Sequence, residues 1–326
     1  MGQSSSKGSS EVSRTSPLSG LHHRQTEQAQ LDHLSAAQRQ SQAVCPSLSG
    51  RPVMHCTAQS GTVPAIPASE FASVTGRACA YTAYEANAWE ATYCQSGVTI
   101  LVDPWLVGEL VFAGQRWAYH GEKSEPNVKN LDPEAIAARA SFILLSQGLD
   151  DHGTQAHTAE ATQGQAVHSL DHGQAITMGP LTIRATMGAL VGPPWSKREN
   201  GFVISENVDG GMRLYYEPHC DYDDGSVSSI GLVDAIITPA STQLIGGFFP
   251  LVKGNEEIVR LIGTLKPQVV VPLINAGFHA GGPLSKIVAE RGSNFDLPQK
   301  LKDNALAHVR VEFPSKSGDS KRIRLE

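Results

Sequence analysis

Leu144-Leu145-Ser146-Gln147-Gly148-Leu149-Asp150-Asp151-His152 is the stretch on which the reading of this chain turns. It begins as the end of an apolar run, Ser141-Phe142-Ile143-Leu144-Leu145, with the length and composition of a buried strand. Within a residue it becomes polar and presents two carboxylates and an imidazole in succession. A strand end is where sites gather, because the rigid strand positions whatever the following loop carries. The plain alternative is a tight loop in which Asp and His satisfy turn amides. The residues alone leave both open.

Outward from there the pattern is regular. Residues 81–94 alternate apolar and aromatic side chains and predict a strand; Ser96-Gly97 signals a turn. Val98-Thr-Ile-Leu-Val102 predicts a β-branched strand that Asp103-Pro104-Trp105 breaks. Residues 131–139 predict a helix with Asp132 as N-cap and Pro133 at its first position. Strands are expected at 181–185, 201–205 and 212–217. The last two bracket Asp209-Gly210-Gly211, a hairpin signal. A strand at 234–238, a helix at 255–265 and a strand at 268–272 follow, and the basic stretch 316–324 reads as a solvated tail. Early strands, then alternating helix and strand, then a second strand group fit an α+β class with sheet packed on sheet and helices outside. No solenoid-type repeat is present.

The bulk composition excludes more than it assigns. With 326 residues, 40% hydrophobic and a net charge of −6, the chain has no basic surface for nucleic acid, and no nucleic-acid partner is expected. No run reaches the roughly 18–20 apolar residues of a membrane helix. Five scattered cysteines, Cys45, Cys56, Cys79, Cys94 and Cys220, make neither a disulfide framework nor a structural zinc set. His279-Ala-Gly-Gly282 lacks the spacing and lysine of a phosphate loop.

Residues 1–70 differ from the rest. They are rich in Ser, Gln, Ala and His, poor in large apolar residues, and read as a disordered leader ahead of one domain at 71–326. Their Ser- and Arg-bearing, acid-poor start resembles a transit peptide, with processing near Cys56 and a chloroplast address. Met1-Gly2-Gln-Ser-Ser-Ser6 also matches an N-myristoylation pattern at Gly2, which would go with a cytoplasmic protein. A plain tail is the third reading.

Ile100-Leu-Val-Asp-Pro-Trp105, residues 145–152 and residues 214–220 together resemble the metallo-β-lactamase-fold family, in particular a plastid and cyanobacterial branch of it. The likeness runs over roughly residues 79–310 and implies a four-layer αββα metallo-β-lactamase sandwich. That family carries Thr-His-x-His-x-Asp-His after such a strand, to gather metal ligands. Here Ser146 stands at the Thr place, Gln147 and Leu149 at the first two His, and Asp151 and His152 at the Asp-His pair. Leu149 cannot coordinate, and the amide of Gln147 is a poor zinc ligand. Residues 185–195 lack the family's third His; His219 in Pro218-His219-Cys220-Asp221 replaces its bridging Asp; Asn275 stands near its last His.

What the resemblance leaves is a candidate set. Asp151, His152, His219 and Cys220 are the candidate ligands of one Zn or Fe ion, with an ion-free site as the equal alternative. Asp150 or Asp151 is the candidate general base. Asp103 would orient a ligand from its strand end, and Gln147, Glu217, Asp221, Trp195 and Asn275 would surround the site. The implied partner is a small-molecule ligand or substrate; oligomeric state is left open. Three functions compete: a divergent metal-dependent hydrolase; a non-catalytic binding protein using the same cleft, lined by Trp105, Trp195 and Tyr216; and a thiol role for Cys220 activated by His219. All three require that the loops after Leu145 and Tyr216 meet at one mouth of a two-sheet core.

Overall fold

The computed structural model describes residues 77–111, 115–124, 132–146, 168–191, 197–274 and 278–326. The expected leader, and Gln147, Asp150, Asp151, His152, Trp195 and Asn275, lie outside the described residues.

The strands, in chain order, begin with β1 (Ala78–Ala83), β2 (Trp89–Tyr93), β3 (Thr99–Val102), β4 (Leu110–Val111), β5 (His120–Lys123) and β6 (Phe142–Leu144). They continue with β7 (Ala175–Met178), β8 (Leu181–Met187), β9 (Asn200–Glu206), β10 (Arg213–Tyr216), β11 (Ala235–Thr238) and β12 (Thr242–Ile245). Then come β13 (Phe249–Lys253), β14 (Val269–Pro272), β15 (Phe278–Gly281), β16 (Val288–Arg291), β17 (Arg310–Val311) and β18 (Ser320–Arg324). The helices are α1 (Pro133–Arg139), α2 (Asp224–Ser228), α3 (Glu256–Leu265) and α4 (Leu297–Asp303). Asp132 caps α1 as expected, accepting from the backbone N–H groups of Glu134 and Ala135.

Two large sheets pack face to face. One has the order β18–β1–β2–β3–β6 and the other β17–β14–β11–β10–β9–β8–β7. Because successive strand residues point to opposite faces, each strand feeds two cores. Tyr81, Trp89 and Ile100 meet Ile183, Ile204, Tyr216 and Ile237 between the sheets. On the outer face of the seven-stranded sheet, Tyr215, Ile236 and Val270 pack under Ile258, Leu261 and Ile262 of α3 and Leu297 and Leu301 of α4. On the outer face of the five-stranded sheet, Tyr84, Leu101 and Trp105 bury Ile136 of α1. Helix, sheet, sheet, helix is the four-layer order. Each such fully buried Leu, Ile or Val is worth about 1.5–3 kcal/mol of transfer free energy.

Two expectations are corrected. Residues 81–94 are not one strand: β1 and β2 form an antiparallel hairpin turning at Tyr84–Ala88, where Ala86 has a φ of 56°. No Gly or Pro marks that turn, and apolar alternation continues through it. Residues 316–324 are not a free tail either. β18 pairs antiparallel with β1 and buries Ile323 in the inter-sheet core. Its many cations hid one inward-facing alternation.

The topology defines a mouth. β10, β11 and β14 run parallel, so they end at one edge of their sheet. β3 and β6 also run parallel and end together. Chain leaving the ends of β3, β11 and β14 builds two small sheets, β15–β5–β4 and β13–β12–β16. Among the described residues no helix is long and apolar enough to cross a membrane.

Candidate functional site

Asp103 is one of the residues that join the two sheets at this edge. It leaves β3 with a φ of 42°, a left-handed conformation that Asp tolerates better than most side chains. Its backbone N–H donates to Leu144 O at 2.9 Å. Its carboxylate, fully buried, accepts from Ser146 N at 2.7 Å, Ser146 Oγ at 2.7 Å and Tyr216 Oη at 2.6 Å. Ser146 opens the loop that carries Gln147 to His152, and Tyr216 closes β10. The two loops that the sequence requires to meet therefore begin on one carboxylate. Three donors on a buried anion are charge-assisted and short. Burial, and then Asp103, push the Tyr216 hydroxyl well above its ordinary pKa, so it remains a donor. Asp103 thus acts as a brace between the ends of β6 and β10.

Beyond Tyr216 the chain places Glu217, Pro218 and His219 beside the start of β9. The β9–β10 ladder pairs Tyr216 with Phe202. Continued outward, that register sets Gly201 opposite Glu217 and Glu199 opposite His219. The side chains follow it. His219 Nδ1 lies 2.8 Å from Glu199 Oε2, with both residues buried. That contact engages Glu199 Oε2 with the ring, and among the described residues Glu199 Oε1 has no hydrogen-bond partner. Glu217 Oε1 accepts from the His219 backbone N–H at 3.3 Å, and its Oε2 has no partner there. A Cβ on Gly201 would stand 2.7 Å from Glu217 Oε2, so this carboxyl fits only because position 201 has no side chain.

The electrostatics follow from burial. Glu217 is pushed up to about 8, first by desolvation and then by Glu199, against the pull of His219. Burial alone would lower His219; Glu199, and then Glu217 and Asp103, hold it above the ordinary imidazole value. The cluster is two buried acids on one imidazole, with Glu199 Oε1 and Glu217 Oε2 left without a partner among the described residues.

The other candidates separate. Asp221 forms ion pairs with Lys253 Nζ at 2.8 Å and Arg198 at 3.4 Å, and so anchors the base of the β12–β13 hairpin. Cys220 turns away from His219: with a φ of 52° it enters the helix-side core beside Tyr215, Ile236 and Ala240 and pairs with Thr238. Burial pushes its thiol far up, the opposite of an activated thiolate. Trp105 is buried in the outer core, edge-on to Phe278 at 5.5 Å and capped by Lys123 Nζ at 4.2 Å. Tyr216 is buried between the sheets. Neither aromatic lines an open cleft, which corrects that expectation. Glu199 is the residue the sequence reading missed. Its signal was the hairpin register, counted back from Asp209-Gly210-Gly211.

A metal demands donors that lack other partners. Among the described residues Glu199 Oε1 and Glu217 Oε2 meet that demand. Glu199 at Nδ1 also leaves Nε2 of His219 as the nitrogen for an ion, the arrangement by which a carboxylate orients a ligating imidazole. Among the described residues, no three His, Cys, Asp or Glu side chains are grouped so as to hold an ion by themselves.

Comparison with known proteins agrees with the architecture. Residues 81–274 match the model of the beta-lactamase superfamily domain. A possible metal-dependent hydrolase from Veillonella parvula is similar in structure, with a TM-score of 0.51, 13% identity, and coverage of 77% of this chain and 100% of that one. An isothiocyanate hydrolase from Delia radicum gut bacteria has a TM-score of 0.50 at 13% identity, covering 76% and 99%. At such identities the likeness is one of fold. No curated protein matches the sequence.

Proposed function

The chain belongs to the beta-lactamase superfamily, and from that premise we propose that its mouth is the site of a divergent, remodelled metal-dependent hydrolase acting on a small molecule. One observation carries this reading. Asp103 holds both Ser146, after which the sequence runs on to Asp150, Asp151 and His152, and Tyr216, which ends the strand leading to a buried His219 beside Glu199 and Glu217. Asp151, His152 and His219 would hold a single Zn or Fe ion. Cys220, engaged in the helix-side core, is not carried forward as a ligand. Such an ion supplies Lewis-acid polarisation of an ester, lactone or phosphoester group.

The chain's own residues have distinct parts. Glu199 fixes the ring of His219 through Nδ1. Glu217 ties the His219 backbone to the strand end, and burial raises its carboxyl well above the ordinary range. Asp150 or Asp151 serves as the base toward water. Asp103 keeps Ser146, and so the root of the loop, in register with β10. The second reading is a non-catalytic binder using the same cleft. It draws on Leu149 and Gln147 and on the incomplete donor set among the described residues.

Metal analysis separates the two. The hydrolase reading expects about one Zn or Fe per chain after gentle purification and a melting temperature that rises on adding Zn²⁺ or Fe²⁺. Substoichiometric metal with no thermal response would leave the binder. The leader at 1–70 belongs with the proposal: a mature N-terminus near Cys56 would mark plastid import, and an acylated Gly2 on an intact chain would mark the cytoplasmic alternative.

A further inference from the structure

Four of the large exposed apolar side chains lie on the segments inserted at the mouth; others, such as Phe295 and Leu232, lie elsewhere in the chain. Phe248 is 83% exposed and Phe249 50%, both at the tip of the β12–β13 hairpin; Trp117 is 73% exposed, just before β5; Ile287 is 45% exposed, just before β16. In the chain these positions are up to 170 residues apart, yet backbone hydrogen bonds link them. Leu284 N–H donates to Ala118 O at 3.0 Å, and Gly246 N–H donates to Ile287 O at 2.8 Å. The hairpin is also tied to the site, since Lys253 N–H donates to His219 O at 2.9 Å.

The tip is built to present these rings. Gly246 and Gly247 take φ values of 63° and 79°, a turn no β-branched residue would accept, and two phenylalanines follow at once. Arg291 fixes the turn by donating to Gly247 O at 3.2 Å. Gly282 allows close contact on the other side, where a Cβ would stand 2.5 Å from Ala118 O. Apolar side chains left in water on adjoining segments mark a recognition surface, and ligands of such sheets bind beyond the carboxyl ends of parallel strands. All three segments leave from those ends.

A polar, ionised centre with an apolar margin fits a ligand of the same polarity. We propose that Trp117, Phe248, Phe249 and Ile287 form an acyl-binding lip, so that the ligand is an amphiphile with a polar head at His219 and an aliphatic chain across the insertions. This deepens the hydrolase reading, which supplies the head group as an ester or lactone. The lip itself stands on exposure and topology.

The test uses the full-length chain, with monomeric dodecanoate and octanoate as binding probes and p-nitrophenyl acetate and octanoate as substrates. Full burial of a methylene tightens binding about fourfold. Dodecanoate should therefore bind at least tenfold tighter than octanoate, and F248S/F249S should weaken dodecanoate at least tenfold with an unchanged melting temperature. W117A should weaken it in the same direction, which covers the case of a misfolded double variant. Equal affinity for both chain lengths, or wild-type affinity in both variants, overturns the lip. Binding to anionic phospholipid vesicles without binding to monomeric dodecanoate also overturns it, in favour of a membrane surface. Dodecanoate binding without hydrolysis of either ester keeps the lip and removes the hydrolase. Hydrolysis of both esters at equal kcat/KM, with no dodecanoate binding, keeps the hydrolase and removes the lip.

Discussion

Replacing Tyr216 by Phe removes one hydroxyl from the buried brace and leaves the ring, packed edge-on against Trp89 at 5.3 Å, in place. The lost bond is a 2.6 Å donation to Asp103 Oδ2. A hydrogen bond to a charged group contributes about 1.5–3 kcal/mol. Ser146→Ala removes the 2.7 Å donation to the same oxygen but keeps the backbone donation to Oδ1. Each single variant leaves Oδ2 with one donor, so each should cost about 1.5–3 kcal/mol. The double variant leaves a fully buried carboxylate oxygen with neither donor. It should exceed the sum of the singles by about 1–2 kcal/mol, the penalty of an unpaired buried acceptor. Urea unfolding of the four proteins at neutral pH measures the coupling. Additivity within about 0.5 kcal/mol would show that the two hydroxyls do not share that oxygen, and the joining of the two sheets at Asp103 would fall.

Three further outcomes follow from the site and its scaffold. In metal-free protein the Glu217 carboxyl moves from 4.5 unfolded to about 8 folded. Its folded value is raised, so this contribution to stability is full below pH 4.5 and is lost as pH rises towards 8. Glu217→Gln should flatten that decline in urea unfolding between pH 5 and 8.5; an unchanged slope would count against a protonated Glu217. Gly201→Ala would set a methyl 2.6 Å from Thr186 Oγ1 and 2.7 Å from Glu217 Oε2, and should cost about 1–3 kcal/mol by overpacking. Asp132→Ala should cost about 1 kcal/mol by uncapping α1, read in urea unfolding.

The scaffold was largely legible because local signals agreed with the fold. Asp132-Pro133 opened its helix, Asp209-Gly210-Gly211 closed its hairpin, and the apolar runs at 100–102, 142–144, 235–238 and 269–272 were strands. Where local signals were silent the reading slipped. The turn at Tyr84–Ala88 has no breaker residue. β18 takes its place only by pairing with β1, some 240 residues earlier in the chain. The site was legible in half. His219 and Asp103 stood at strand ends, but Glu199 precedes its strand and has meaning only across the β9–β10 ladder. Cys220 misled because adjacency in sequence is not adjacency in space: one left-handed residue sends its thiol into the helix-side core.

The claim beneath the functional reading is that His152 and His219 serve one centre. Calorimetric titration of Zn²⁺ and Fe²⁺ into wild type, His152→Ala, His219→Ala and the double variant addresses it directly. A single wild-type site, lost to a similar degree in each single variant with no further loss in the double, is the predicted result. A wild type that takes up no ion, or losses in the two variants that simply add, would contradict it.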